Sequence, residues 1–338
     1  MTEFHPFAQY IQIIGKGPNL SRPLTEQEAH DAVRMILAGG VEPLQLGAFL
    51  SILRLREEVP VEGAGFVRAM REAIDMPLPM PSPMPEVDLD WPAYAGKKRQ
   101  LPWFILAALL LAQNGVRICM QGTDNHTPGR IYVRDALKVL GLPVAGSIGE
   151  AGRQIAQTNF AYLPLQAFLP RIQDIIELKP ILGLRSPFNT FTRQANPFRA
   201  PYELLTVAHP GYADIHCAVA ERIGQPHMAV FKGEGGEAER RPHKSVRVKS
   251  MHGGFISEED WPPILNEGAA EADPDLDLER LAAVWRGAER NGYADAAVTG
   301  TAAIVLRLMG KAETPADALA RAQTMWDARN KSRLGNAA

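Results

Sequence analysis

The chain has 338 residues, enough for one large or two ordinary domains with a full core. A composition of 46% hydrophobic and 22% charged residues with a net charge of −2 excludes disordered and fibrous classes. The longest apolar run, Leu101 to Ala112, is well short of the roughly 18–20 residues that cross a bilayer, so no membrane segment is predicted. The first residues, Met1 to Pro6, lack the basic and apolar regions of a secretory signal. Cys119 and Cys217 stand apart in apolar surroundings without CxxC spacing and read as two buried reduced thiols, which fits a cytoplasmic location.

The first 75 residues read as helix throughout. Thr25 with Glu28 forms a capping-box pattern, and Gly39-Gly40 closes that helix. A second helix starts at Pro43, with apolar residues too dense for a one-face stripe, and a third runs from about Val61 to Ile74. Prolines then recur from Met76 to Pro85, which excludes helix and marks a stiff domain boundary. Beyond it, Val116–Met120, Phe160–Leu163, Leu204–Val207 and Met228–Phe231 read as strands. Helices are predicted near Pro102–Asn114, Ile131–Leu140, Tyr212–Ile223, Leu276–Asn291, Ala294–Met309 and Pro315–Arg329. The alternation predicts an α/β fold with a mostly parallel sheet covered by helices on both faces.

Two stretches carry a family resemblance. One is Gly183-Leu184-Arg185-Ser186-Pro187-Phe188-Asn189 with Asn196-Pro197; the other is the helical block from Ile36-Leu37-Ala38-Gly39 through Leu46–Leu50 to Phe66–Met70. Both resemble the anthranilate phosphoribosyltransferases of glycosyltransferase family 3, and the likeness extends over roughly Phe7 to Asp327. It implies a small helical lobe, 1–76 plus about 168–195, that makes a homodimer contact, and an α/β lobe of about 80–167 plus 196–335. It also implies Arg185 and Asn189 on the acceptor side of a cleft.

The same comparison exposes departures. The family's GTGGD turn, whose glycines let backbone amides approach pyrophosphate, aligns with Asp90-Trp91-Pro92-Ala93-Tyr94-Ala95-Gly96, where Gly96 alone keeps a glycine. The KHGNRSVSS loop lies over Met120 to His126, leaving Gly122 and Thr123 as phosphate-loop remnants. The family's paired GLDE carboxylates coordinate magnesium; here Gly236-Glu237-Ala238 keeps one, with Glu237 as a remnant metal ligand. No cofactor is therefore expected, and magnesium belongs only to an alternative reading in which transferase activity persists.

Basic residues replace the lost motifs. Lys97-Lys98-Arg99 precedes the helix at Pro102, where the positive end of the macrodipole disfavours cations by about 0.3–1 kcal/mol each. Either an anion bridges them to the helix amides or the triplet is a solvated charged turn. A second cluster contains Lys232, Arg240, Arg241, His243, Lys244, Arg247 and Lys249, with Lys244 to Lys249 alternating as in a half-exposed strand; an edge strand protected by its charge reads the same way. Arg185, Arg193 and Arg199 extend the ridge, whereas Ile256 to Glu279 holds nine acidic residues and no Lys or Arg.

Trp91, Tyr94 and Trp103 are candidates to stack on bases, with core burial as the other reading of Trp103. His209 is a candidate cleft residue, and the histidines show no HExxH or Cys/His metal spacing. Gly233-Glu234-Gly235-Gly236 lacks the Lys-Ser/Thr of a P-loop.

The expectation is a divergent family member, without the aminoacid-pathway activity, that binds DNA or RNA without sequence preference. Its phosphate contacts are Lys97, Lys98, Arg99, Arg185, Arg193, Arg240, Arg241 and Lys244. The alternatives are a phosphoribosyl or glycosyl transferase using phosphoribosyl pyrophosphate and magnesium, and a scaffold that only dimerises.

Overall fold

The computed structural model describes residues 4–17, 19–75, 85–124, 127–266, 273 and 275–334. The prolines between Met76 and Met84, the Asn125-His126 pair and part of the acidic stretch lie outside the described residues.

The N-terminal lobe contains α1 (Ala8–Gly15), α2 (Glu26–Leu37), α3 (Pro43–Arg56) and α4 (Pro60–Asp75). Thr25 accepts the Glu28 amide while Glu28 returns to the Thr25 amide, so the predicted capping box starts α2. The core of this lobe is aromatic. Phe66 of α4 stacks on Phe49 and meets Phe188 and Phe191 at 4.9 and 5.6 Å between centroids. The signature loop is thereby fastened to the helices.

The second lobe runs β1 (Leu89–Ala93), α5 (Phe104–Gln113), β2 (Ile118–Gly122), α6 (Val133–Leu140), α7 (Ile148–Thr158) and β3 (Phe160–Pro164). Short helices α8 (Leu165–Phe168), α9 (Pro170–Glu177), α10 (Lys179–Leu182) and α11 (Phe188–Phe191) return the chain to the helical lobe. Then follow β4 (Tyr202–Val207), α12 (Gly211–Arg222), β5 (His227–Lys232), β6 (Val246–His252), β7 (Phe255–Trp261), α13 (Glu279–Arg286), α14 (Gly292–Leu308) and α15 (Pro315–Ala328). The seven strands form one sheet in the order β3-β2-β1-β4-β5-β6-β7, parallel through β5 and antiparallel for β6 and β7.

That order places the site. Chain direction around the sheet reverses between β1 and β4, so the loops leaving their C-terminal ends diverge and open a crevice. β1 pairs with β4 only through Leu89 and Asp90, and the Pro92 that lacks an amide falls where this ladder has already ended. Beneath the crevice, α5 is buried on every side, since Phe104 to Ala112 are all in the core.

Candidate anion-binding cleft

Trp91, Tyr94 and Trp103 are not placed to stack on bases: Trp91 and Trp103 belong to the core, and Tyr94 is buried with its hydroxyl on Gln121. Behind them the chain turns at Gly96, whose positive φ of 67° suits a glycine. The amides of Ala95 and Gly96 both point at Glu237 Oε1, at 2.8 and 2.5 Å. Two successive amides aimed at one oxygen form an anion-binding nest, and here the anion is the chain's own.

A second carboxylate repeats the arrangement two residues on. Glu239 accepts the Phe104 amide at the start of α5 at 2.8 Å and Lys97 Nζ at 2.6 Å. The anion expected between the basic triplet and the helix amides therefore exists, and it is Glu239. Burial pushes its carboxyl up to about 7 despite Lys97, and burial also raises Glu237 against the pull of Arg193 and the two amides. Gly235 and Gly236, with φ of 66° and 91°, make the turn that delivers both acids.

The expected phosphate contacts separate accordingly. Lys97 is a buried ion-pair partner rather than a surface cation. Arg240 is also buried, over the Trp261 ring at 5.2 Å and donating to the Pro262 carbonyl, with burial pushing it down to about 10. Lys98, Arg99 and Lys244 are exposed, and Arg241 is half-buried. The cluster on β6 is neutralised: Arg247 pairs with Asp260 at 2.9 Å and Lys249 with Glu258 at 2.8 Å, directly across from them on β7. The outer edge is thus β7, made of part of the acidic stretch, and β6 lies inside it. Arg199 donates to the carbonyls of Arg71, Ala195 and Asn196, which fixes the hinge rather than a ligand. Of the phosphate-loop remnants, Gly122 ends β2 where a Cβ would lie 1.9 Å from the Ala93 carbonyl oxygen. Thr123 donates its hydroxyl to Gln173 at 2.6 Å. Both now serve packing.

Arg185, Asn189, Arg193 and His209 do come together. They line a cleft of about 240 Å³ between the lobes, with Arg130, Ser186 and Tyr212. At its mouth Glu58 accepts from Arg54 and Tyr212, a pairing that joins α3 to α12 across the crevice. Arg130, which sequence patterning did not single out, donates to the carbonyls of Ala95, Gly96 and Gly235 and so clamps the two turns together. Arg193 stands over the Tyr94 ring at 5.6 Å. Its Nη1 is buried without an acceptor among the described residues, and burial lowers its proton affinity. His216 alongside is buried and pushed down to about 3, hence neutral. Among the described residues Arg130, Arg185 and Arg193 make no ion pair. A groove sharing Val207 with the cleft adds Lys232 and Arg241.

Two family models match this chain: the glycosyl transferase helical bundle domain over residues 8–74 and the glycosyl transferase α/β domain over 105–328. The chain belongs to the glycosyl transferase family. It is 31% identical to anthranilate phosphoribosyltransferase of Thermus thermophilus over 219 residues, which cover 64% of this chain and 65% of that one. The matched part thus spans less than two thirds of that relative's length. It is 26% identical to the uncharacterized protein YbiB of Escherichia coli over 244 residues, 72% of this chain and 75% of YbiB. In structure it resembles anthranilate phosphoribosyltransferase from Saccharomyces cerevisiae in complex with PRPP and Mg, at a TM-score of 0.75 and 16% identity over 95% of this chain and 93% of that one, a likeness of fold.

The residues present offer little protein ligation for a magnesium such as that of the complex. Among the described residues no three His, Cys, Asp or Glu side chains converge as ligands. Glu237 spends one oxygen on two amides and Glu239 is committed to Lys97 and α5, so of these two acids only Glu237 Oε2 is left open to a cation. Among the described residues, no helix is long and apolar enough to cross a membrane.

Proposed function

We propose that this protein is a phosphate-binding member of the family whose inter-lobe cleft holds the backbone of a nucleic-acid strand, without the transferase chemistry of its relatives. The observation that carries this reading is the double occupation of the anion positions by Glu237 and Glu239, beside a cleft in which Arg130, Arg185 and Arg193 lack carboxylate partners among the described residues. Internal acids leave no amide nest for a diphosphate. Arg130, Arg185, Arg193, Lys232 and Arg241 remain to meet phosphates along one edge of the sheet. With the indoles buried, base stacking contributes little, so binding is expected to be independent of sequence and governed by counterion release.

Fluorescence anisotropy with a labelled oligonucleotide tests this. For about four phosphate contacts the affinity should fall roughly 50- to 150-fold between 50 and 200 mM salt. No binding at micromolar protein and low salt would remove the reading. A second reading, phosphoribosyl transfer to an aromatic acid, is favoured by the relatives and by Arg185 and Asn189 in the cleft. Consumption of anthranilate with phosphoribosyl pyrophosphate and magnesium, followed by its fluorescence, would put that reading first.

The proposal includes self-association through the helical lobe. Leu44 on α3 and Ile181 on α10 are exposed apolar side chains on elements that touch, since a Cβ on Gly47 would lie 3.7 Å from Leu182. Sedimentation velocity should give a dimer that Leu44→Glu with Ile181→Glu converts to monomer; a monomeric parent protein would exclude it.

A further inference from the structure

The inner end of the cleft narrows to a chamber of about 40 Å³ lined by Tyr94, Ala95, Thr123, Arg185, Asn189 and Arg193. Among the described residues, three polar atoms in this part of the cleft have no partner: one on Arg193 in the chamber wall, one on Ser186 in the adjoining cleft wall, and one on Glu237 behind the Ala95 and Gly96 amides. Arg193 Nη1 and Ser186 Oγ are buried donors without acceptors, and Glu237 Oε2 is a buried acceptor without a donor. Ser186 lines the cleft and is only 4% exposed, so solvent does not supply what its hydroxyl lacks. Buried donors left unpaired are costly, and their persistence at the wall of a cavity points to an absent acceptor. The Tyr94 ring supports the Arg193 guanidinium from one side and holds its plane.

Two guanidiniums at one small chamber, with a hydroxyl in the wall of the adjoining cleft, suit a group with several acceptor oxygens, more than one negative charge and no hydrogens to donate. A terminal phosphate is such a group, and guanidinium forks match its oxygens in pairs. A phosphate inside a strand carries one charge and a substituent on both sides, which a chamber of this size does not admit. A diphosphate is excluded differently. Its second phosphate would need the Ala95 and Gly96 amides, which hold Glu237, and would confront the unpartnered Glu237 oxygen.

We infer that the chamber is a site for one phosphomonoester, bound by Arg185, Arg193 and Ser186, with Glu237 standing in place of any second phosphate. This rests on reading the cleft as phosphate-binding, and it makes a strand end, rather than its interior, the preferred ligand. A free nucleoside monophosphate presents the same chemistry.

Anisotropy and calorimetric titrations with four probes separate the possibilities: a 5′-phosphorylated oligonucleotide, its 5′-hydroxyl counterpart, adenosine monophosphate and inorganic pyrophosphate. The phosphorylated end should bind about tenfold more tightly than the hydroxyl end. Arg193→Gln should abolish that difference and, as one lost phosphate contact, lower the salt slope of both oligonucleotides by about 0.7–0.9, and Ser186→Ala should reduce the difference, circular dichroism confirming that each variant is folded. Glu237→Ala should gain affinity for pyrophosphate that the parent lacks. Equal affinity for the two oligonucleotides, unchanged in Arg193→Gln, overturns the inference and spares the broader reading. Binding of the monophosphate that depends on Arg193, with no oligonucleotide bound, supports the site and removes the nucleic-acid reading. Pyrophosphate held more tightly than the monophosphate by the parent protein overturns the restriction to one phosphate, and no binding by any probe overturns both proposals.

Discussion

Lys97→Met should destabilise the protein by about 3–5 kcal/mol, because it leaves a buried carboxylate without its counter-charge. Lys97 and Glu239 are both essentially inaccessible and 2.6 Å apart, and nothing else near Glu239 is cationic enough to replace the lysine. The amide of Phe104 would still bond Glu239 at the head of α5, but one neutral donor does not balance a buried charge. Urea denaturation at pH 7.5 reads the loss as a lower midpoint. Adding Glu239→Gln to Lys97→Met should recover part of it, since the double variant buries an amide instead of an ion. Lys98→Met, one residue away and exposed, sets the scale and should change stability by less than about 0.5 kcal/mol. A Lys97→Met protein as stable as that control would mean that the pair contributes nothing.

The second large effect concerns pH. Asp90 and Glu203 lie side by side in the register of β1 and β4, fully buried, each with one oxygen that has no partner among the described residues. Arg71 donates to Glu203 at 2.8 Å, and Gln121 reaches Asp90 at 3.3 Å. Burial, reinforced for Asp90 by its acidic neighbour, raises both carboxyls, Glu203 to about 7. A carboxyl that binds its proton more tightly in the folded state stabilises the fold below its unfolded pKa of about 4.5. That contribution disappears as pH rises through about 7. The Glu203 share amounts to roughly 3 kcal/mol across this window. The urea midpoint should therefore decline from pH 4.5 to 7, and Glu203→Gln should remove a share of that decline comparable to the share that Glu239 leaves in the same range. A midpoint that climbs over this interval in the parent protein would contradict the assignment.

Much of the scaffold could be read from residue order. The Thr25–Glu28 box, the apolar run that becomes α5 and the strand–helix alternation each encode their element locally, and each forms where expected. α7 was missed although Ser147 caps it by accepting the Glu150 amide, because its apolar positions are few and two glycines interrupt them. β7 was missed for a different reason. As the outer edge of the sheet it has four exposed residues in a row and no alternation to betray it. The site was legible in identity but not in state. Arg185, Asn189 and Glu237 could be singled out by the family resemblance and Arg193 by its charge, yet whether Lys97 or Arg240 met solvent depended on partners far along the chain. A basic triplet has the same appearance in sequence whether it awaits a phosphate or already holds Glu239.

The bonds that close the turns also determine when they can close. Gly96 meets Glu237 across 141 positions of chain, and Lys97 meets Glu239 across 142. Contacts of such separation carry a large loop-closure cost and form after local structure has condensed. During synthesis, β1 and its turn emerge long before β5 and the acids that follow it, so the nascent α/β lobe has an open amide nest and a bare basic triplet. Only when the segment after β5 arrives does the chain supply its own anions, so the cleft is among the last features of this protein to be built.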